Sequence, residues 1–227
     1  MTSTVDQAVA AAARPAVAPR LRPYLRGWLH AAVTPPAGAA GIVMITRAST
    51  AAGRTGDVIF VAAAMLLFGT SALFHRYHWG PIGHGLLRRL DHSNIYLFIA
   101  ASYTPYALCL LSGASRAWLL TLIWSAAVVG LLFRTVWLSA PRPLYTVMYV
   151  VMAGSAAGWL PEFLAGTGPG IFTLILGSGI LYAVGAAVYA FKWPDPSPRW
   201  FGFHEVFHAC TIAAFAVQCL AMSLVTH

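Results

Sequence analysis

Two histidines near the end of the chain are spaced to share one ion. His204 and His208 stand four residues apart in an apolar stretch, so on a helix their side chains project about 40° apart, on one face. That spacing suits a grip on a metal. Far upstream, Ser71 and His75 repeat the four-residue offset at the end of another apolar stretch, and Asp91 opens the next one after a basic loop. Three imidazoles beside a carboxylate are a zinc-like inventory. Taken singly, each histidine also reads as a polar residue that hydrogen-bonds to a neighbouring helix. His30, at the start of the first helix, could join the site but reads first as a helix-end hydrogen-bonding residue, and His78, His84 and His92 read as loop or interfacial residues.

The same string at the C-terminal end, His204-Glu205-Val206-Phe207-His208, matches HExxH, in which a glutamate serves metalloproteases as general base. Downstream of His208 the chain offers only Gln218 as a further candidate ligand, so a third histidine has to come from upstream. Glu205, one residue along, turns about 100° away from His204 on a helix.

Composition dictates the elements that position these residues. Of 227 residues, 59% are hydrophobic and only 9% charged, against about 25% charged in soluble domains. Seven stretches have the length of about 20 residues that a membrane crossing needs, roughly 28–46, 57–75, 90–111, 117–137, 144–164, 170–191 and 203–225. Helices satisfy the backbone inside lipid, where an unpaired amide costs several kcal/mol. The expectation is an all-α, polytopic seven-transmembrane-helix bundle over residues 27–227. Residues 1–26, with Arg14, Arg20, Arg22 and Arg26 among alanines and prolines, read as a disordered basic tail, since the apolar piece Ala8 to Ala13 is too short for a signal-peptide core.

Placing that tail in the cytoplasm puts eleven cations (Arg14, Arg20, Arg22, Arg26, Arg76, Arg88, Arg89, Arg134, Arg142, Lys192 and Arg199) on the inner side, against Arg47, Arg54 and Arg116 on the outer. The bias predicts an N-terminus inside and a multi-pass protein of the cell membrane. The net charge of +8 reads as topology and contact with anionic lipid, not nucleic-acid binding. On that topology His75, Asp91, His204 and His208 all fall near the cytoplasmic face. Gly154 and Gly158 read as a small-residue packing pair, and Cys109, Cys210 and Cys219 as buried thiols.

The motifs and their order resemble the hemolysin III group of the PAQR proteins, which includes bacterial hemolysin III-like proteins and the animal adiponectin and progestin receptors. Ser71-Ala-Leu-Phe-His75 is similar to the group's SxxxH element. Asp91-His92-Ser93 is similar to its DHS-type element, Tyr103-Thr104-Pro105 to its YTP run, and His204-xxx-His208 to its HxxxH. The likeness covers about residues 27–225. It implies zinc held by His75, His204 and His208, with Asp91 and Ser71 as catalytic residues around a bound water, and hydrolysis or sensing of membrane lipids, including a lipid amide substrate, in membrane homeostasis. Three neutral imidazoles leave zinc its full charge and one open position, where a water's pKa falls to about 7. Arg26 and Gly27 depart from the acidic or amide residues expected before His30. A receptor with structural zinc, a membrane metalloprotease and an ion or proton transporter are the competing classes.

Overall fold

A computed structural model describes residues 23–227, which form seven α-helices and one 3-10 turn. They are α1 (Trp28–Arg47), α2 (Ala51–Arg76), α3 (Pro81–Leu110), α4 (Gly113–Val136), α5 (Arg142–Gly154), the 3-10 turn Ser155–Trp159, α6 (Leu160–Phe191) and α7 (Phe203–Thr226). Among the described residues the β pairing is confined to an isolated bridge between Ser197 and Phe201. Neighbours in sequence pack side by side, α1 on α2, α2 on α3, α3 on α4 and α6 on α7, and α7 returns against α1, α2 and α3. That return brings the last histidines back to the first.

The protein is all-helical and multi-pass. Five stretches are long and apolar enough to cross a membrane: α1, α2, α4, the continuous run 142–191, and α7. The predicted fifth and sixth spans both fall inside 142–191. The chain breaks there at Gly168, whose φ of 71° and ψ of 173° leave the helix and are followed by Pro169. An L side chain rarely adopts that φ. The predicted third span lies within α3 but is not among the five, because Ser93, Asn94, Ser102 and Thr104 turn polar groups inward, where they are buried.

The lipid-facing surface carries Ile42, Val43, Leu66, Val129, Val151 and Ile180, each more than half exposed. Lipid is as apolar as these side chains, so packing and buried hydrogen bonds hold the helices together. Close backbone approaches occur at Gly41, where an added Cβ would meet Val61, at Gly56 against Pro105, and at Gly130 against the ring of Tyr96. Gly154 and Gly158, expected to pack as a pair, face open space in and beside the 3-10 turn. Spacing alone cannot tell a glycine at a helix crossing from one at a helix break.

Arg134, counted from sequence as an inner-side charge, is fully buried at the end of α4. Its Nη1 donates to the carbonyls of Trp137 and Leu138, both at 3.3 Å, and its guanidinium lies 4.4 Å from the Tyr145 ring centroid. It closes the helix C-terminus, where a cation complements the dipole. The region 1–22 of the expected tail lies outside the described residues. Pro23 to Arg26 are placed, with the amides of Tyr24 and Leu25 donating to the carbonyls of Arg199 and Trp200.

Replacing Gly130 with valine is expected to lower the unfolding midpoint in detergent, by overpacking against Tyr96 that costs about 1–3 kcal/mol. Gly158→Ala is expected to leave it unchanged.

Candidate metal centre

His75 sits in the last turn of α2, and His204 and His208 in the first two turns of α7. One ligand nitrogen from each lies within 4.8 Å of the other two. His204 Nε2 and His75 Nε2 are 3.3 Å apart. Two imidazole nitrogens on one tetrahedral zinc, each at about 2.0–2.1 Å, stand roughly 3.3–3.4 Å apart. A simple hydrogen bond would account for that pair alone. His208 is 2% exposed, and its Nδ1 is buried without a hydrogen-bond partner among the described residues. A buried polar atom left so is costly, and the ring belongs to the group of three that can hold a cation.

Asp91 stands beside them. Its Oδ2 is 3.6 Å from His75 Nε2 and 3.8 Å from His92 Nδ1. Ser71, buried one turn before His75, faces the same carboxylate. All five predicted residues therefore meet at one end of the bundle. The donor set is three imidazoles with a carboxylate adjacent, which fits a divalent ion of the zinc class better than magnesium or calcium, which take oxygen ligands.

Two contributions take a form that spacing along the chain does not give. His30, expected as a hydrogen-bonding residue at a helix end, is 3% exposed with both ring nitrogens unpaired among the described residues. It stacks flat on His208, ring centroids 3.8 Å apart and planes 17° from parallel, and so fixes the plane of that ring. The second is the segment before α1. Gly27 has φ 78°, and a Cβ there would come within 2.7 Å of His75 Cβ. Arg26 Nε lies 2.5 Å from Oε1 of Glu205, whose side chain is fully buried. One short segment thus touches both histidine-bearing helices.

That contact also defines Glu205. Its Oε2 accepts from the amide of Gly202 at 2.9 Å and closes a capping box at the start of α7, while Oε1 faces Arg26. Both oxygens are engaged away from the histidines, as their angular separation on the helix requires. The HExxH string is a pair of candidate ligand histidines interrupted by a helix cap.

Beneath the cluster, Phe68 packs 5.0 Å from His30. Phe60, Phe68, Phe98 and Phe215 then pack on one another at centroid distances of 5.1–6.4 Å, each at most 5% exposed. Below this aromatic floor lie Gln218, bonded to Tyr182, and Asp57, bonded to Thr226. The two polar regions are separated by apolar rings.

The family of haemolysin-III related proteins matches residues 20–219. Hemolysin-3 of Bacillus cereus is 35% identical over 160 residues, covering 66% of this chain and 70% of that protein. The hemolysin-3 homolog of Bacillus subtilis (strain 168) is 36% identical over 144 residues, covering 59% and 62%. No solved structure matches the chain.

Purified protein is expected to hold about one zinc-class ion per chain, and His75→Ala and His208→Ala to hold almost none by elemental analysis. Gly27→Ala should weaken the metal about 10–100-fold, the range seen when support behind a ligand is lost.

Proposed function

We propose, from the premise that the chain belongs to the haemolysin-III related family, that it is a zinc-dependent hydrolase acting on lipid amides at the membrane surface. One observation carries the reading: three imidazole nitrogens within 4.8 Å of one another, with the Asp91 carboxylate 3.6 Å from His75. Zinc bound by His75, His204 and His208 would supply Lewis acidity to a water or a carbonyl group. The two Bacillus relatives described above are named for haemolysis, which says nothing of an amide.

The remaining chemistry belongs to the chain's own side chains. Hydrolysis adds water across the amide, breaks the C–N bond and yields a carboxylic acid and an amine. Asp91 accepts the water's proton at its carboxylate and returns it to the departing nitrogen, general acid–base work of the kind that carboxylates perform. Ser71, against the same carboxylate, orients it. His30 keeps the His208 ring in plane from behind. Glu205 takes no part, since its oxygens hold Gly202 and Arg26; this weighs against a metalloprotease. The aromatic floor below the cluster weighs against a transporter, because apolar rings offer a proton or ion no partner on the way through.

The same reading has seven crossings, the N-terminus in the cytoplasm and the histidines near the cytoplasmic side of the cell membrane. It rests on the eleven-to-three charge split, on the polar interior of α3 and on the helix break at Gly168. Membrane lipids are the partners it requires, and their turnover gives a role in membrane homeostasis.

Asp91→Asn is expected to lower hydrolysis of N-acyl lipids by about 10²–10⁴-fold while zinc stays bound. Glu205→Gln is expected to lower the unfolding midpoint but to keep turnover at low temperature. Absence of turnover in fully zinc-loaded wild type, across ceramide-like and simple N-acyl lipids, would overturn the hydrolase.

A further inference from the structure

Two cavities, each of about 300 Å³, open beside His75. One is lined by Arg26, Phe74, Tyr77, His78, Trp79 and His84, and the other by Tyr24, Arg26, Trp28, Arg76 and His78. Arg26, His75 and His78 border both, so together they form one divided vestibule over the metal ligand. Among the described residues no carboxylate lines either cavity, whereas two arginines and three histidines do. The volume stands at the low end for ligand pockets, enough for a headgroup and the first part of one chain.

Arg76 is the distinctive group of this mouth. Its guanidinium carbon lies 3.3 Å from the Trp28 ring centroid, so one face is occupied by stacking. Stacking leaves the in-plane N–H edges free, and those are the edges that pair with phosphate oxygens in bidentate fashion. Among the described residues Arg76 has no carboxylate partner. Around it Tyr24, Trp28, Tyr77 and Trp79 are 40–69% exposed, and such aromatic rims sit at the headgroup level of a bilayer. That level is also where lipid phosphates lie. The Trp79 indole donates to the Leu73 carbonyl at 3.0 Å, and His84 packs 5.2 Å from Phe74, so the far wall is fixed.

We infer that this vestibule is a lipid-phosphate subsite, in which Arg76, with His84 on the opposite wall, holds the phosphate of a membrane lipid whose reacting bond is presented to the histidines. The chemistry after binding rests on the hydrolase reading, and among lipid amides those that also carry a phosphate are expected to bind more tightly than those that do not.

The test measures binding to full-length protein in neutral detergent, using dihexanoyl phosphatidic acid, dihexanoylglycerol and inorganic phosphate as probes. Phosphatidic acid is expected to bind, dihexanoylglycerol to bind at least tenfold more weakly, and Arg76→Gln to lose roughly tenfold for phosphatidic acid. His84→Ala, on the opposite wall, should weaken the same probe. Arg76→Gln, outside the group of three histidines, should keep its zinc-class ion by elemental analysis while it loses phosphatidic acid, so loss of the metal reading and loss of the subsite are separately visible. Equal binding of the phosphatidic acid and the diacylglycerol, or unchanged binding in both Arg76→Gln and His84→Ala, would overturn the subsite. Inorganic phosphate binding as tightly as the lipid would assign the anion to a soluble source and overturn the lipid.

Discussion

A polar atom buried in a membrane protein has no water to turn to and must find its partner within the chain or in something the chain binds. At one end of this bundle that constraint falls on four histidines and an aspartate at once. His75 and His204 meet nitrogen to nitrogen, Asp91 lies against His75, and His208 and His30 keep unpartnered ring nitrogens. A cation shared by His75, His204 and His208 would answer the demand of His208, while His30 lies stacked against that ring. Much of the surrounding architecture serves to bring those side chains to one place and hold them there.

Holding them falls to residues that do no chemistry. α7 returns across the bundle to α1, α2 and α3, which makes the C-terminal histidines neighbours of one some 130 residues earlier. Across the open mouth, the short segment before α1 joins the two ligand-bearing helices through Gly27 at His75 and Arg26 at Glu205. A buried ion pair is costly to desolvate, and breaking one by removing a partner costs more, about 3–5 kcal/mol. Placed here, the pair fixes the relation of two helix ends that lipid packing alone would leave loose. The departure from the expected acidic or amide residues before His30 is therefore a working part of the site, since Arg26 supplies the charge that Glu205 needs.

Chemistry and packing are layered along the bundle axis. The histidines and Asp91 sit above four phenylalanines, and a second set of polar groups, around Gln218 and Asp57, lies below them. The apolar layer confines the histidine cluster to one end and ties the helices together through rings whose edges and faces interlock. The open side carries the opposite character, with arginine, histidine and exposed aromatics around His75. A site closed below and basic above favours ligands that approach from a surface over ones that pass through.

The amino-acid sequence by itself determined the apolar surroundings of the chain and the pairing of two candidate ligands. So few charges and such long apolar runs leave helices in lipid as the one way to satisfy the backbone, and four-residue spacing places His204 and His208 on a common face whatever surrounds them. These are local consequences of composition and helical period. What only the tertiary structure decided depends on contacts between distant segments. His30, at the helix end as expected, became a stacked support instead of a hydrogen-bonded residue, Glu205 a helix cap facing Arg26, and Arg134 a buried helix stop. Gly130 became a helix crossing while Gly154 did not. In each case the residue type permitted several partners. Which one it met was set by the return of α7 and the placement of Arg26 and Gly27, long-range geometry that no spacing along the chain encodes.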